Sequence, residues 1–208
     1  MAEFLLIRHG KTQGNTERRY LGDPEEPLCC EGRQGVLALR ESGVLPPIQM
    51  LMSGPALRCR QTAELLFPGK PYTICPMGEV DFGIFKGKNA DELTCDRNYE
   101  VWLDTNCMGD IPGGDSVSDF KERCCNAFLN IAETCGSGTT AMVIHGGNIM
   151  AVLERFALPR RDFHDFYVPN CGFFLCRWEN RALTIEQGVG SSTSRTQSTN
   201  KKQENVSP

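Results

Sequence analysis

The first apolar run of the chain, Phe4 to Ile7, is unbroken and stops abruptly at Arg8, His9 and Gly10. A continuous run of that length, followed by glycine, reads as a short strand covered on both faces rather than as a half-exposed one. Three further stretches, "IQMLMS", "TAMVIHGG" and "FFLCRW", have the same character. Between them the spacing changes to that of helices. "PALRCRQTAELL" predicts one, and "SVSDFKERCCNAFLNIAETC" another, with Val117, Phe120, Cys124, Phe128, Ile131 and Cys135 along one face. Ser116 with Asp119 predicts a capping box at its start. "NIMAVLERFAL" predicts a helix directly after the "VIHGG" strand. Strands alternating with helices predict an α/β fold, a mostly parallel sheet with helices on both faces.

From Gly188 the pattern is lost: "GVGSSTSRTQSTNKKQENVSP" is polar, rich in Ser and Thr, and almost without large apolar side chains. Such a segment buries too little to offset its ordering entropy, so the expected division is a catalytic domain over 1–187 and a disordered tail over 188–208. In a chain of 208 residues with 40% hydrophobic content, one core is the default. The formal charge of −4 gives no electrostatic footprint for nucleic acid, and neither a spanning segment nor a basic surface helix suggests a membrane. A cytoplasmic protein is expected; the oligomeric state is not legible. Eleven cysteines, odd in number and without CxxC spacing, read as reduced, half-buried hydrophobes.

The candidate chemistry sits where the strands end. Arg8, His9 and Gly10 follow the first strand, Ser53 leads into the helix that carries Arg58, and His145, Gly146 and Gly147 follow "TAMVI". If these strands are parallel neighbours, two imidazoles and two guanidiniums converge on one sheet edge, the usual ligand edge of an open α/β sheet. Arginine presents a permanent, planar fork of donors to phosphate oxygens. The glycines admit close backbone approach, and a helix beginning near Gly147 aims its free N–H groups at the same place. Nearby cations would keep a histidine there neutral and nucleophilic.

These residues resemble the signatures of the histidine phosphatase superfamily, also called phosphoglycerate mutase-like. "LIRHGKTQGN" is similar to RHGxTxxN, placing Arg8, His9, Gly10, Thr12 and Asn15. "SGPALRCRQTAE" is similar to the second signature, with Ser53, Arg58, Gln61, Thr62 and Ala63. "GEVDFGIFKGKN" resembles the segment bearing the proton donor, Glu79, although Asp81 stands close by; "IPGGDS" and "VIHGG", with His145, complete the set. The resemblance implies a three-layer sandwich and a phosphohistidine mechanism. In it His9 attacks, Glu79 protonates the leaving alkoxide, and Arg8, Arg58, His145, Asn15 and Gly146 hold the phosphate, with no metal and no cofactor. As an acid, Glu79 would need a raised pKa, supplied by burial against Phe82 or Phe85. Departures from the pattern are Cys29, read as a small packing change, and Phe85 with Lys86, the lysine read as solvated. His164 has no catalytic counterpart and reads as peripheral.

The expected partner is a small phosphomonoester, with α-ribazole 5′-phosphate the specific candidate from the resemblance. A cofactor-dependent phosphoglycerate mutase is the alternative enzyme, and an inactive phosphate-binding protein the alternative outside enzymes. The latter predicts a missing nucleophile or acid, whereas His9 and Glu79 are both present. Tyr99 and Trp102 are candidates for a lid and equally for the core.

Overall fold

A computed structural model of the chain describes residues 1–189. The strands are β1 (Ala2–Arg8), β2 (Met50–Ser53), β3 (Thr73–Ile74), β4 (Gly138–Ile144), β5 (Ala157–Leu158), β6 (Phe173–Glu179) and β7 (Ala182–Val189). The helices are α1 (Gln13–Thr16), α2 (Cys30–Glu41), α3 (Leu57–Leu66), α4 (Arg97–Asp104), α5 (Val117–Thr134) and α6 (Gly146–Phe156). All strands join one sheet in the order β3-β2-β4-β1-β6-β7-β5. The pairs β2 with β3, β2 with β4, and β1 with β4 are parallel; β6 runs antiparallel to β1 and β7.

The side-chain period of a strand separates the core into two layers. Phe4, Leu6, Met142 and Ile144 pack under α5 and α6, whereas Leu5, Ile7, Ala141 and Val143 pack against α2 and α3. The uninterrupted apolar runs are thus the mark of a sheet covered on both faces, and the fold is the three-layer α/β sandwich. A third cluster, separate from these two layers, is built on Phe85, Leu93, Tyr99, Trp102, Ile111 and Val117.

Several local expectations are corrected. Ser116 does cap α5 in position, but its hydroxyl bonds Ser118 Oγ, so the capping box does not form. Cys135 falls just past the helix end. β7 continues through Gly188 and Val189, which pair with Phe174 and Phe173, so the boundary drawn after residue 187 falls short by those two residues. The remainder of the expected tail lies outside the described residues. All eleven cysteines are free, and among the described residues no helix is long and apolar enough to cross a membrane.

Candidate active site

The ladder itself assembles the site. Arg8 pairs with Ile144 at the end of β1 and β4, and Ser53 pairs with Val143 at the end of β2. The residues that follow therefore leave the sheet side by side at its carboxyl edge. The His9 backbone N–H donates to the Ile144 carbonyl at 3.0 Å, locking the two loops together. The rings of His9 and His145 lie 5.1 Å apart, edge to face.

His9 is almost wholly buried, and its Nδ1 lies 2.7 Å from the Gly10 carbonyl. A carbonyl can only accept, so the proton belongs on Nδ1 and the lone pair on Nε2. Burial is the largest influence on its pKa, followed by His145, Arg58 and Arg8; together they hold it well below the usual histidine value of 6.5. The expected neutral imidazole follows, with desolvation ahead of the guanidiniums as its cause.

The cations are fixed by the protein through one edge only. Arg8 donates from Nη1 to the Val168 carbonyl at 2.8 Å, and Arg58, 2% exposed, donates from Nη1 to the Asp23 carbonyl at 3.0 Å. The Nε of each is buried without an acceptor. Donors left unpaired on buried guanidiniums are costly unless an anion comes to them. Gly146 opens α6 beside Arg8: a Cβ there would meet Arg8 Nε at 3.3 Å, so a side chain would crowd the guanidinium. Asn15 uses Oδ1 to accept from the Thr12 N–H and from Asn170 Nδ2, both at 3.2 Å. Among the described residues its own Nδ2 has no acceptor, and the residue lines the cavity at the site.

Glu79 faces His145, with Oε2 3.2 Å from Nδ1. For Glu79, burial favours the neutral acid, but the attraction and hydrogen bond of His145, with Arg58 and His9 behind, outweigh it and lower the pKa. This corrects the expectation of a raised value: the carboxylate meets a cation rather than only the aromatic rings. His145 responds in kind. Burial works against its charge, but Cys59 and Glu79 beside it raise its pKa to about 9. The two groups share one proton over the neutral range and titrate as a unit.

Four residues outside the expected set position the others. Thr62 accepts from the Gly10 N–H at 3.0 Å and donates to the Arg58 carbonyl at 2.7 Å, tying the His9 loop to the helix of Arg58. Gln61 accepts from the Leu28 N–H at 2.8 Å. Asn148 accepts from the His145 N–H at 3.1 Å through Oδ1 and donates from Nδ2 to the Gly78 carbonyl at 2.9 Å, setting the segment of Glu79. The Cys59 thiol lies 3.7 Å from His145 Nε2. Thr62 and Gln61 stand in the second signature; nothing in the sequence marks Asn148 or Cys59.

The alternatives also find places. Asp81 is committed to Lys86 at 2.8 Å and to the Gly83 N–H, so it is not the acid facing His145, and Lys86 is ion-paired rather than merely solvated. Cys29 caps α2, its thiol accepting from the Gly32 N–H at 3.3 Å, so this departure alters a helix cap rather than the packing. Trp102 and His164 line the cavity beside the site, while Tyr99 is buried and bonded to the Tyr20 hydroxyl.

His9, Glu79 and His145 bring potential ligand atoms within 4.8 Å of one another. The spacing suits a metal, but the charge does not: a divalent cation there would sit against Arg8 and Arg58. The same positive field suits a phosphate dianion.

A family model described as the histidine phosphatase superfamily, branch 1, matches residues 4–188. Among curated proteins, the probable phosphoglycerate mutase GpmB of Salmonella choleraesuis is 29% identical over 153 residues, 70% of each chain. Among solved structures, a phosphoglycerate mutase from Thermus thermophilus is 32% identical with a TM-score of 0.66, covering 87% of this chain and 95% of that one. The α-ribazole phosphatase from Shigella flexneri has a TM-score of 0.77 at 20% identity, covering 91% and 96%, a likeness of fold.

Proposed function

The chain belongs to the histidine phosphatase superfamily, and from that premise we propose that it hydrolyses a small phosphomonoester through a phosphohistidine on His9. The observation that carries the reading is the His9 ring. With Nδ1 bound to the Gly10 carbonyl, Nε2 keeps its lone pair in the field of Arg8 and Arg58, two guanidiniums that hold unpaired donors. Nε2 attacks phosphorus in line, and the ester oxygen leaves as the P–O bond breaks. Arg8, Arg58, His145⁺ and the N–H groups at the start of α6 bear the charge on the equatorial oxygens, with an Asn15 amide donor beside them.

Glu79 protonates the leaving alkoxide. In the free protein it is ionised against His145, but a bound dianion repels the carboxylate and neutralises the cations that hold it ionised. Both effects lift its pKa toward the range a proton donor needs. Water then attacks the phosphohistidine, giving its proton to Glu79, and inorganic phosphate leaves. The step requires no metal or cofactor.

A phosphoglycerate mutase is the second reading, favoured by the names of the relatives at 29% and 32% identity. Transfer and hydrolysis differ in whether the phosphoryl group reaches water. The test is phosphate release from a panel including α-ribazole 5′-phosphate, p-nitrophenyl phosphate and 3-phosphoglycerate, with positional exchange of phosphoglycerate measured alongside, all repeated in excess EDTA. Release that persists in EDTA is expected. Exchange without release would make the protein a mutase, and loss on chelation restored by a divalent ion would overturn the metal-free step.

A further inference from the structure

From the walls of the cavity that opens off the catalytic edge, we infer the class of alcohol that the substrate carries: uncharged, and bearing an aromatic or bulky apolar group. The inference rests on the phosphomonoesterase reading above and specifies its other half. The cavity, about 320 Å³, reaches Arg8, Glu79, Gly146 and Gly147 at one end, so a phosphate held there would extend its ester group into it. Its walls are Tyr20, Phe82, Trp102, Met108, Ile111 and Met150. That volume falls within the range of small-ligand sites.

The charges lining this space leave nothing for a second anionic group. Arg8 belongs to the phosphate. Arg19 is held by Glu17 at 2.6 Å, by Glu92 at 2.7 Å and by the Gly87 carbonyl at 2.6 Å, so its charge is already matched. His164 is joined through Nε2 to the Asn106 carbonyl at 3.1 Å. On the other side of Glu79 a smaller cavity, about 170 Å³, touches Arg58 and His145, and its lysine, Lys86, is paired with Asp81 at 2.8 Å. A carboxylate next to the phosphate, as in 3-phosphoglycerate or phosphoserine, would be desolvated against aromatic and thioether walls without a cation to meet it. An aromatic group would instead exchange water for ring edges and the polarisable sulfurs of Met108 and Met150.

The test holds leaving-group chemistry constant by comparing primary alkyl esters. The kcat/KM for 2-phenylethyl phosphate is measured against glycerol 3-phosphate and 3-phosphoglycerate, with phosphohistidine trapped from each. The expected preference for the phenylethyl ester is about tenfold or more, the scale on which apolar pockets discriminate. Met150→Lys places a cation one turn from Gly146 on α6 and is expected to shift the ratio toward 3-phosphoglycerate. Equal or better turnover of 3-phosphoglycerate by the native chain would overturn this inference and leave the phosphohistidine reading standing, whether or not the variant folds. Absence of both phosphate release and phosphohistidine with every ester would overturn both.

Discussion

At the scale of single residues, the site works by assigning protons. The Gly10 carbonyl fixes one proton on His9 Nδ1, and the Glu79–His145 pair holds another between two side chains 3.2 Å apart. The acid role proposed for Glu79 makes its loss depend on the leaving group. For Glu79→Gln, kcat/KM on an alkyl phosphate, which reports phosphohistidine formation, is expected to fall by about 10²–10⁴, whereas kcat/KM on p-nitrophenyl phosphate, whose phenolate leaves without a proton, is expected to lose far less. Equal losses on both esters, measured side by side, would assign Glu79 a positioning role. His9, Arg8, Arg58 and His145 were legible in the sequence because each follows directly from the end of a strand or the first turn of a helix. The state of Glu79 was not. Its pKa is set by a histidine far along the chain, and no local pattern announces an ion pair made by tertiary folding.

At the scale of elements, the site depends on helices packed closely onto the loops that follow the strands. Gly32 in α2 shows how closely: a Cβ there would lie 2.0 Å from the Lys11 carbonyl oxygen, which is backbone and cannot swing aside. Alanine ordinarily favours a helix over glycine by about 1 kcal/mol, but overpacking of this kind costs about 1–3 kcal/mol or more. Gly32→Ala is therefore expected to lower the Tm and, by moving the loop after His9, to reduce activity; an unchanged or raised Tm in thermal denaturation would contradict the close packing. The long elements were legible from period alone, since β1, β4, α5 and α6 each bury a continuous face. β3 and β5 have two residues each, and β7 mixes apolar and polar positions at the side of the sheet away from the parallel core. Pairing with neighbours makes them strands. Ser116 shows the same limit in a cap, where its hydroxyl took a nearby serine instead of the helix backbone.

At the scale of the whole molecule, a buried cationic site inside an acidic chain ties stability to pH. His145 is raised from 6.5 to about 9, so its contribution to stability is full below 6.5 and is lost as pH rises through about 9. The buried thiols of Cys75, Cys124 and Cys176, pushed up to about 12, weaken the fold only above the usual thiol value of 9.0. Between pH 6.5 and 9 the Tm is therefore expected to decline in the native chain and to decline less in His145→Gln; parallel curves would show that His145 is not charged in the fold. The same buried constellation supports the central claim, that the phosphoryl group passes through His9. The most direct measurement is to mix the protein with a turned-over ³²P-labelled phosphomonoester, quench in alkali within the first turnover, and locate the label by peptide mass analysis. An alkali-stable, acid-labile phosphoryl group on His9 is expected, absent in His9→Ala together with nearly all phosphate release. Label on another residue, or undiminished release from His9→Ala, would contradict it.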